Sequence, residues 1–384
     1  MKANRYKYLL LLCAALFPAV FSMGQGVCSS SALAPVFSQT FGTGSSSTST
    51  STVPAGFITN YSFPGSGTVN DGQYIVTPKI QNAQHADWAT GGDHTGNTNG
   101  NMFLVNAGTG ASLFFYQQVD NLCPGSVYSF SAWLVNVNTI SKTLPICGSG
   151  YVYPKVTFNI RDTNGNILQS YTTDTLPLTK TTSSTPNWQQ YGFQFTLPSG
   201  ITSLVLEMVD YYGGNPQCGN DLAIDDILFS ACTPTATATL STTNTLCVGS
   251  STTISCSLVN SPFLSPAYQW QKSADNGSTW NNIGTPGTSA NNFTISGAIT
   301  GDAGIYRVLV GPDISSLTSS TCVTASNSIT LSVYNNPTVS ASISGTNCTG
   351  KTVELNGSVS GGSSPYNYQW TGPNAFSANT VNAS

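Results

Sequence analysis

Two short stretches hold most of the side chains able to do chemistry. Asp93, His94 and Thr95 open DHTGNTNG at 93–100, and Asp225 and Asp226 stand in tandem inside GNDLAIDDILFSAC at 219–232. The tandem pair interrupts an apolar run with the alternation of a β-strand, which sends neighbouring side chains to opposite faces. One of the two carboxylates is therefore expected to face a core. Ile224 and Leu228 flank Asp226 on its own face, so Asp226 is expected to be the inward one. A buried carboxylate is costly unless it is hydrogen-bonded, paired or bound to a cation. Lys and Arg are scarce along this stretch, which leaves a cation or a cradle of backbone amides as the partner.

Other candidates are fewer. Trp88 lies in the loop Asp87–Gly92 and is the best-placed tryptophan for stacking a ligand ring; Trp133 reads as core and Trp188 as the start of a strand. Trp88, Asp93 and His94 are thus the expected binding residues. Catalysis has little to draw on. Glu207 is the only Glu before residue 354, His85 and His94 are the only His, and no partner carboxylate accompanies Glu207 as glycoside hydrolysis requires. Asp210, beside the Tyr211-Tyr212-Gly213-Gly214 loop, offers at most a sugar subsite. No P-loop, H-E-x-x-H or G-x-S-x-G occurs.

The elements that position these residues are strands. The chain of 384 residues is 39% hydrophobic and 10% aromatic, enough to build cores, yet only 7% charged. Thr, Val, Tyr and Phe are frequent, Gly and Pro recur, and no long segment has helical periodicity, so an all-β protein of two to three domains is expected. Strands are expected at 36–41, 73–76, 102–105, 112–119, 127–137, 155–161, 189–196, 203–209 and 222–230. Short strands between Gly, Asn and Pro turns indicate a jelly-roll β-sandwich over residues 27–232. The low-complexity segment 42–56 reads as a mobile loop.

Lys2, Arg5 and Lys7, an apolar run from Tyr8 to Phe21, and small residues at Ser22 and Gly24 make residues 1–24 a secretory signal peptide. No other apolar stretch is long enough to span a bilayer. The protein is expected to be secreted, extracellular and at the cell surface. Without the leader, 8 basic residues face 15 acidic ones, and no basic patch exists to neutralise phosphates, which excludes nucleic acid as a partner. Nine cysteines remain, and in an exported chain they read as a disulfide framework.

After a Thr-Pro linker at 233–237, residues 238–334 carry Cys256, Trp270 and the D-x-G-x-Y corner ending at Tyr306. This resembles an immunoglobulin-like domain. The position of the family's second Cys is Val308, so Cys256 is expected to be a buried free thiol. Residues 338–384 repeat the pattern in part, as a truncated second Ig-like or PKD-like unit: Tyr368-Gln-Trp370 echoes Tyr268-Gln-Trp270, and Cys348 echoes Cys247. Gly357 occupies the place of Cys256, which sets Cys256 outside the shared pattern and favours a Cys247–Cys322 disulfide. The short second copy indicates that the chain is a fragment of a longer protein.

The elements at 93–100 and 219–232 resemble the ends of a MAM-type domain. The order Val36–Gly42, Asp93–Gly100, Leu122–Trp133 and Cys218–Ile227 is still more similar to the N-terminal domains of large secreted, adhesin-like surface proteins of gliding bacteria, which are associated with gliding motility. The match spans the first domain only. It implies an extracellular jelly roll carrying Ig-like or PKD-like repeats behind it. Cys147 and Cys218, both in Gly-rich loops, are candidates to pair; Cys232 reaches Cys123, as the MAM resemblance implies, or Cys28 if the first and last strands are neighbours.

Jelly-roll sugar-binding modules hold structural calcium where the last strand meets an early loop, and hard oxygen ligands suit that ion. Asp93 and Asp226 are accordingly the expected Ca2+ ligands, beside His94. The other reading has the two aspartates accept loop amides and His94 cap a turn. The expected function is adhesion or glycan binding without catalysis, towards an extracellular glycan or a surface protein. The alternatives are a polysaccharide-active enzyme module and a structural stalk.

Overall fold

The computed structural model describes residues 27–28, 35–108, 112–183, 185–212, 218–346 and 348–384. The expected leader at 1–24 lies outside them, as does most of the loop after Tyr212. The fold is all-β, a jelly-roll sandwich followed by smaller immunoglobulin-like sandwich units.

The first sandwich contains, among the described residues, β1 (Phe37–Gln39), β2 (Gln73–Thr77), β3 (Met102–Asn106), β4 (Leu113–Val119), β5 (Val127–Asn136), β6 (Tyr151–Val152), β7 (Val156–Arg161), β8 (Ile167–Thr172), β9 (Gln189–Thr196), β10 (Leu204–Asp210), β11 (Cys218–Gly219) and β12 (Leu222–Cys232). One sheet runs β2-β3-β12-β5-β9, with β1 also paired to β12; the other runs β4-β10-β7-β8. β8 is expected nowhere in the sequence, nor are the two-residue strands β6 and β11; the residues of β8 are exposed or half-buried with little apolar contrast.

Alternation explains the packing. Tyr128, Phe130, Ala132 and Leu134 of β5 point into the space between the sheets and meet Phe115 and Phe158 from the opposite side. Phe130 and Phe158 lie edge to face, 5.1 Å between centroids. The outer face of the larger sheet is also covered. Val135, Val137, Ala223 and Leu104 pack there under Ile80, Trp88 and Ala89 from the connection between β2 and β3, forming a second small core. The segment 42–56 is laid along the sheet: Ser51 and Val76 exchange two backbone hydrogen bonds of 2.9 Å, and Thr43 bridges Gly100. It is a pinned edge where a mobile loop was expected.

A strand from Thr235 follows β12 after two residues, so the connection is only Thr233-Pro234. In the second sandwich Trp270, Tyr306, Val308 and Cys256 share one core. Tyr306 Oη donates to Asp302 O at 2.5 Å, closing the expected tyrosine corner. The third unit contributes a sheet of Thr338–Ser344, Glu354–Ser360 and Asn382–Ala383.

The cysteines join as Cys28–Cys232, Cys147–Cys218 and Cys123–Cys322. The expected Cys147–Cys218 bond is present, the expected Cys247–Cys322 bond is not, and of the two partners open to Cys232 it is Cys28 that pairs. Cys123 does not take Cys232, because Cys123 and Cys322 meet across the two sandwiches and β1 lies directly beside β12. Cys247, Cys256 and Cys348 are free, and Cys256 is buried as expected.

Candidate functional site

β12 is not regular where it carries the two aspartates. Asp225 opposes Trp133 and Leu228 opposes Ser131, so Asp226 and Ile227 together face the single residue Ala132. Asp226 takes the left-handed conformation, φ 43°. This is a β-bulge. Its effect shows in the core: Leu222 and Ile224 face inward before it, Ile227 and Phe229 after it. The two-residue period slips by one. The bulge also lies where the neighbour of β12 changes from β3, which ends its pairing at Ile224, to β1, which begins at Ile227.

The slip corrects the expected geometry. Asp225, not Asp226, is the deeply buried carboxylate, its side chain 2% exposed against 27% for Asp226. Both reach the same partner on the outer face, His94. His94 Nδ1 lies 3.0 Å from Asp226 Oδ2 and 3.7 Å from Asp225 Oδ2, and the His94 amide donates to Asp225 Oδ2 at 3.3 Å. The close approach of Nδ1 to Asp226 is not aligned as a hydrogen bond, so Nδ1 is buried without a hydrogen-bond partner. The imidazole stacks on the Trp133 indole, centroids 4.2 Å apart, and meets Trp188 edge-on at 6.4 Å.

The electrostatics are one-sided. Burial raises the Asp225 carboxyl to about 8, and the negative charges of Asp226 and Asp93 add to that. Burial also raises Asp226, opposed by His94. Asp225 Oδ1 accepts the Asp226 amide at 2.8 Å.

Asp93 belongs to the loop rather than to this cluster. Its carboxylate accepts from Thr95 Oγ1 and sits over Gly100, where any Cβ would collide with it. A side chain at position 100 would thus displace the Asp93 carboxylate from Thr95. Trp88 is also displaced from its expected role. It is 3% exposed, stacked on His85 at 4.2 Å and packed in the outer core, with no face left for a ligand.

Trp133 and Trp188, expected to be core and the start of a strand, are half-buried and reach a cleft. With His94 they line an open cleft of about 690 Å3, rimmed by Asn97, Asn99, Thr185, Asn187, Lys79 and Asp93. Trp188 Nε1 donates to Gly92 O at 3.1 Å, which fixes the indole against the 91–95 loop.

The residues considered for catalysis are tied up elsewhere. Glu207 Oε2 accepts from Arg161 Nε at 2.9 Å and Asn159 Nδ2 at 2.7 Å. Asp210 is buried, accepting from the Tyr212 amide and from Asn220 Nδ2, and burial raises it to about 6. A further buried carboxylate is Asp221, which no motif in the sequence marks. It accepts from the Ala107 amide at 3.1 Å, and burial holds it well above the usual carboxylate range.

No protein-family model matches this chain, and no curated protein does. Among solved structures, the adhesin domain of Epf from Streptococcus pyogenes is 11% identical, covering 71% of this chain and 91% of that one, with a TM-score of 0.27. The extracellular domains 3–5 of Drosophila OTK are 13% identical, covering 58% and 69%, with a TM-score of 0.25. Superpositions this weak carry no argument about function. Among the described residues, no helix is long and apolar enough to cross a membrane.

Proposed function

We propose that this chain belongs to an exported cell-surface adhesion protein whose first sandwich binds a neutral carbohydrate in the Trp133–Trp188 cleft. The cleft itself carries the reading. Its lining combines Trp188 and the Trp133–His94 stack with amides and hydroxyls, the groups that exchange hydrogen bonds with sugar hydroxyls while aromatic rings cover C–H surfaces. Three disulfides support an oxidising compartment, since such bonds are rare where thiols are kept reduced. The MAM-like reading gains from the meeting of its two signature elements in space: His94 of the first touches Asp225 and Asp226 of the second.

The test is a glycan array probed with the full chain, beside a hydrolysis assay on the same sugars. Binding lost in Asn187→Ala, an exposed rim residue, and in Trp188→Ala supports the reading. Retention of no glycan at all removes it and leaves protein adhesion or a stalk. Turnover abolished by Glu207→Gln moves the protein to the enzymes.

A further inference from the structure

His94 of the cleft lining also belongs to a set of donors that the carbohydrate reading does not use. His94, Asp225 and Asp226 each offer one ligand atom, all within 4.8 Å of one another. They come from two segments far apart in sequence, and the β-bulge is what turns both carboxylates toward the same imidazole.

We infer that His94 Nδ1 and one oxygen each of Asp225 and Asp226 bind a divalent transition metal of the zinc class. Three observations converge on this. The first is spacing. Two ligands each about 2.1 Å from a tetrahedral ion lie roughly 3.4 Å apart. The Nδ1 distances to Asp226 and Asp225, 3.0 and 3.7 Å, bracket that value. The second is the buried Nδ1, which approaches two carboxylates yet makes no hydrogen bond. A cation between the three atoms satisfies it, and it compensates two adjacent carboxylates at once. The third is rigidity. The Trp133 face fixes the ring plane, and the His94 amide bonded to Asp225 Oδ2 fixes the histidine to one of its fellow ligands.

The donor set decides the class of ion. Calcium takes about six to eight oxygens at roughly 2.3–2.6 Å. An imidazole with two carboxylates suits zinc, cobalt or nickel. This departs from calcium on Asp93 and Asp226, because the group of clustered donors holds His94 and Asp225 beside Asp226 and does not include Asp93. Asp226 is 27% exposed, so an ion reaches the buried Nδ1 past its carboxylate.

The experiment needs no carbohydrate, so its outcome is independent of the glycan array. The untagged full chain, stripped with chelator, is titrated by calorimetry with Zn2+, Co2+ and Ca2+, and the visible spectrum of the Co2+ form is recorded. The expected result is one equivalent of Zn2+ or Co2+, Ca2+ weaker by tenfold or more, and a Co2+ spectrum with a nitrogen ligand. Asp226→Asn is the conservative variant, since Asn tolerates a positive φ and the bulge survives. It should weaken Zn2+ on the order of a hundredfold, as should His94→Ala, while His85→Ala changes nothing. The inference is overturned if no metal saturates the site, if Ca2+ is preferred, or if Zn2+ binding survives both site variants. In the first case the trio is an ion pair of imidazolium and carboxylate.

Discussion

Asp225 and Asp226 are neighbours in sequence that reach the same imidazole, because Asp226 adopts φ 43° and shifts the strand by one residue. A left-handed residue costs roughly 1–2 kcal/mol for most side chains and little for Gly. Asp226→Gly should therefore keep the sandwich at least as stable as the wild type, helped by removing a negative charge beside Asp225. Asp226→Val should lose about 1–2 kcal/mol, since a β-branched residue resists that conformation. Denaturant midpoints of the two variants check this; equal midpoints would mean that the bulge straightens.

That bulge also marks the limit of what the sequence discloses. Most strands of the first sandwich follow from short β-branched and aromatic runs between turn residues, although those of the larger sheet are buried on both faces, and the Ig-like corner follows from Asp302, Gly304 and Tyr306. Around the tandem aspartates both faces are apolar, with Ile224 and Leu228 on one parity and Ile227 and Phe229 on the other, so nothing in the residues chooses a face. The structure uses both, one before the bulge and one after. Trp188 and His94 lie 94 positions apart, and only the fold of the outer face brings them to one cleft. The pairing of Cys123 was equally hidden, because its partner belongs to another domain.

Asp210 gives a pH prediction with a defined sign. Burial raises its folded-state pKa to about 6, above the ordinary 3.8. The native state then holds a proton that the unfolded chain has released, so stability is highest below the lower value and falls as pH rises through the higher one. The loss is about 3 kcal/mol at 1.36 kcal/mol per unit. Asp210→Asn should remove that slope. Asn220 Oδ1, buried and unpartnered, can accept the new amide after a flip of its own side chain. Unfolding free energies at pH 4 and pH 7 for both proteins give the difference; parallel profiles would refute it.

Two of the free thiols, Cys256 and Cys348, should separate by reactivity. Burial raises Cys256 to about 11, and it is packed in the core of the second sandwich, whereas Cys348 is exposed. Only the thiolate is nucleophilic. Alkylation of the native protein should modify Cys348 readily and spare Cys256 until denaturant is added, as read by peptide mass. Prompt labelling of Cys256 would mean that the core opens locally.

The Cys123–Cys322 bond ties the turn after β4 to the loop before residues 324–325 of the second sandwich, with Pro312 and Asp313 close to Gly125. Neither core depends on it, since each sandwich closes its own apolar faces. Cys322→Ser should thus leave both sandwiches folded but release their relative orientation, because an inter-domain contact without a large apolar interface permits motion by default. Non-reducing digestion of the wild type should yield a peptide joining Cys123 to Cys322, and small-angle scattering should report a larger radius of gyration for the variant. A peptide joining Cys247 to Cys322 would refute the clamp, and an unchanged radius would mean that contacts other than the disulfide hold the two sandwiches together.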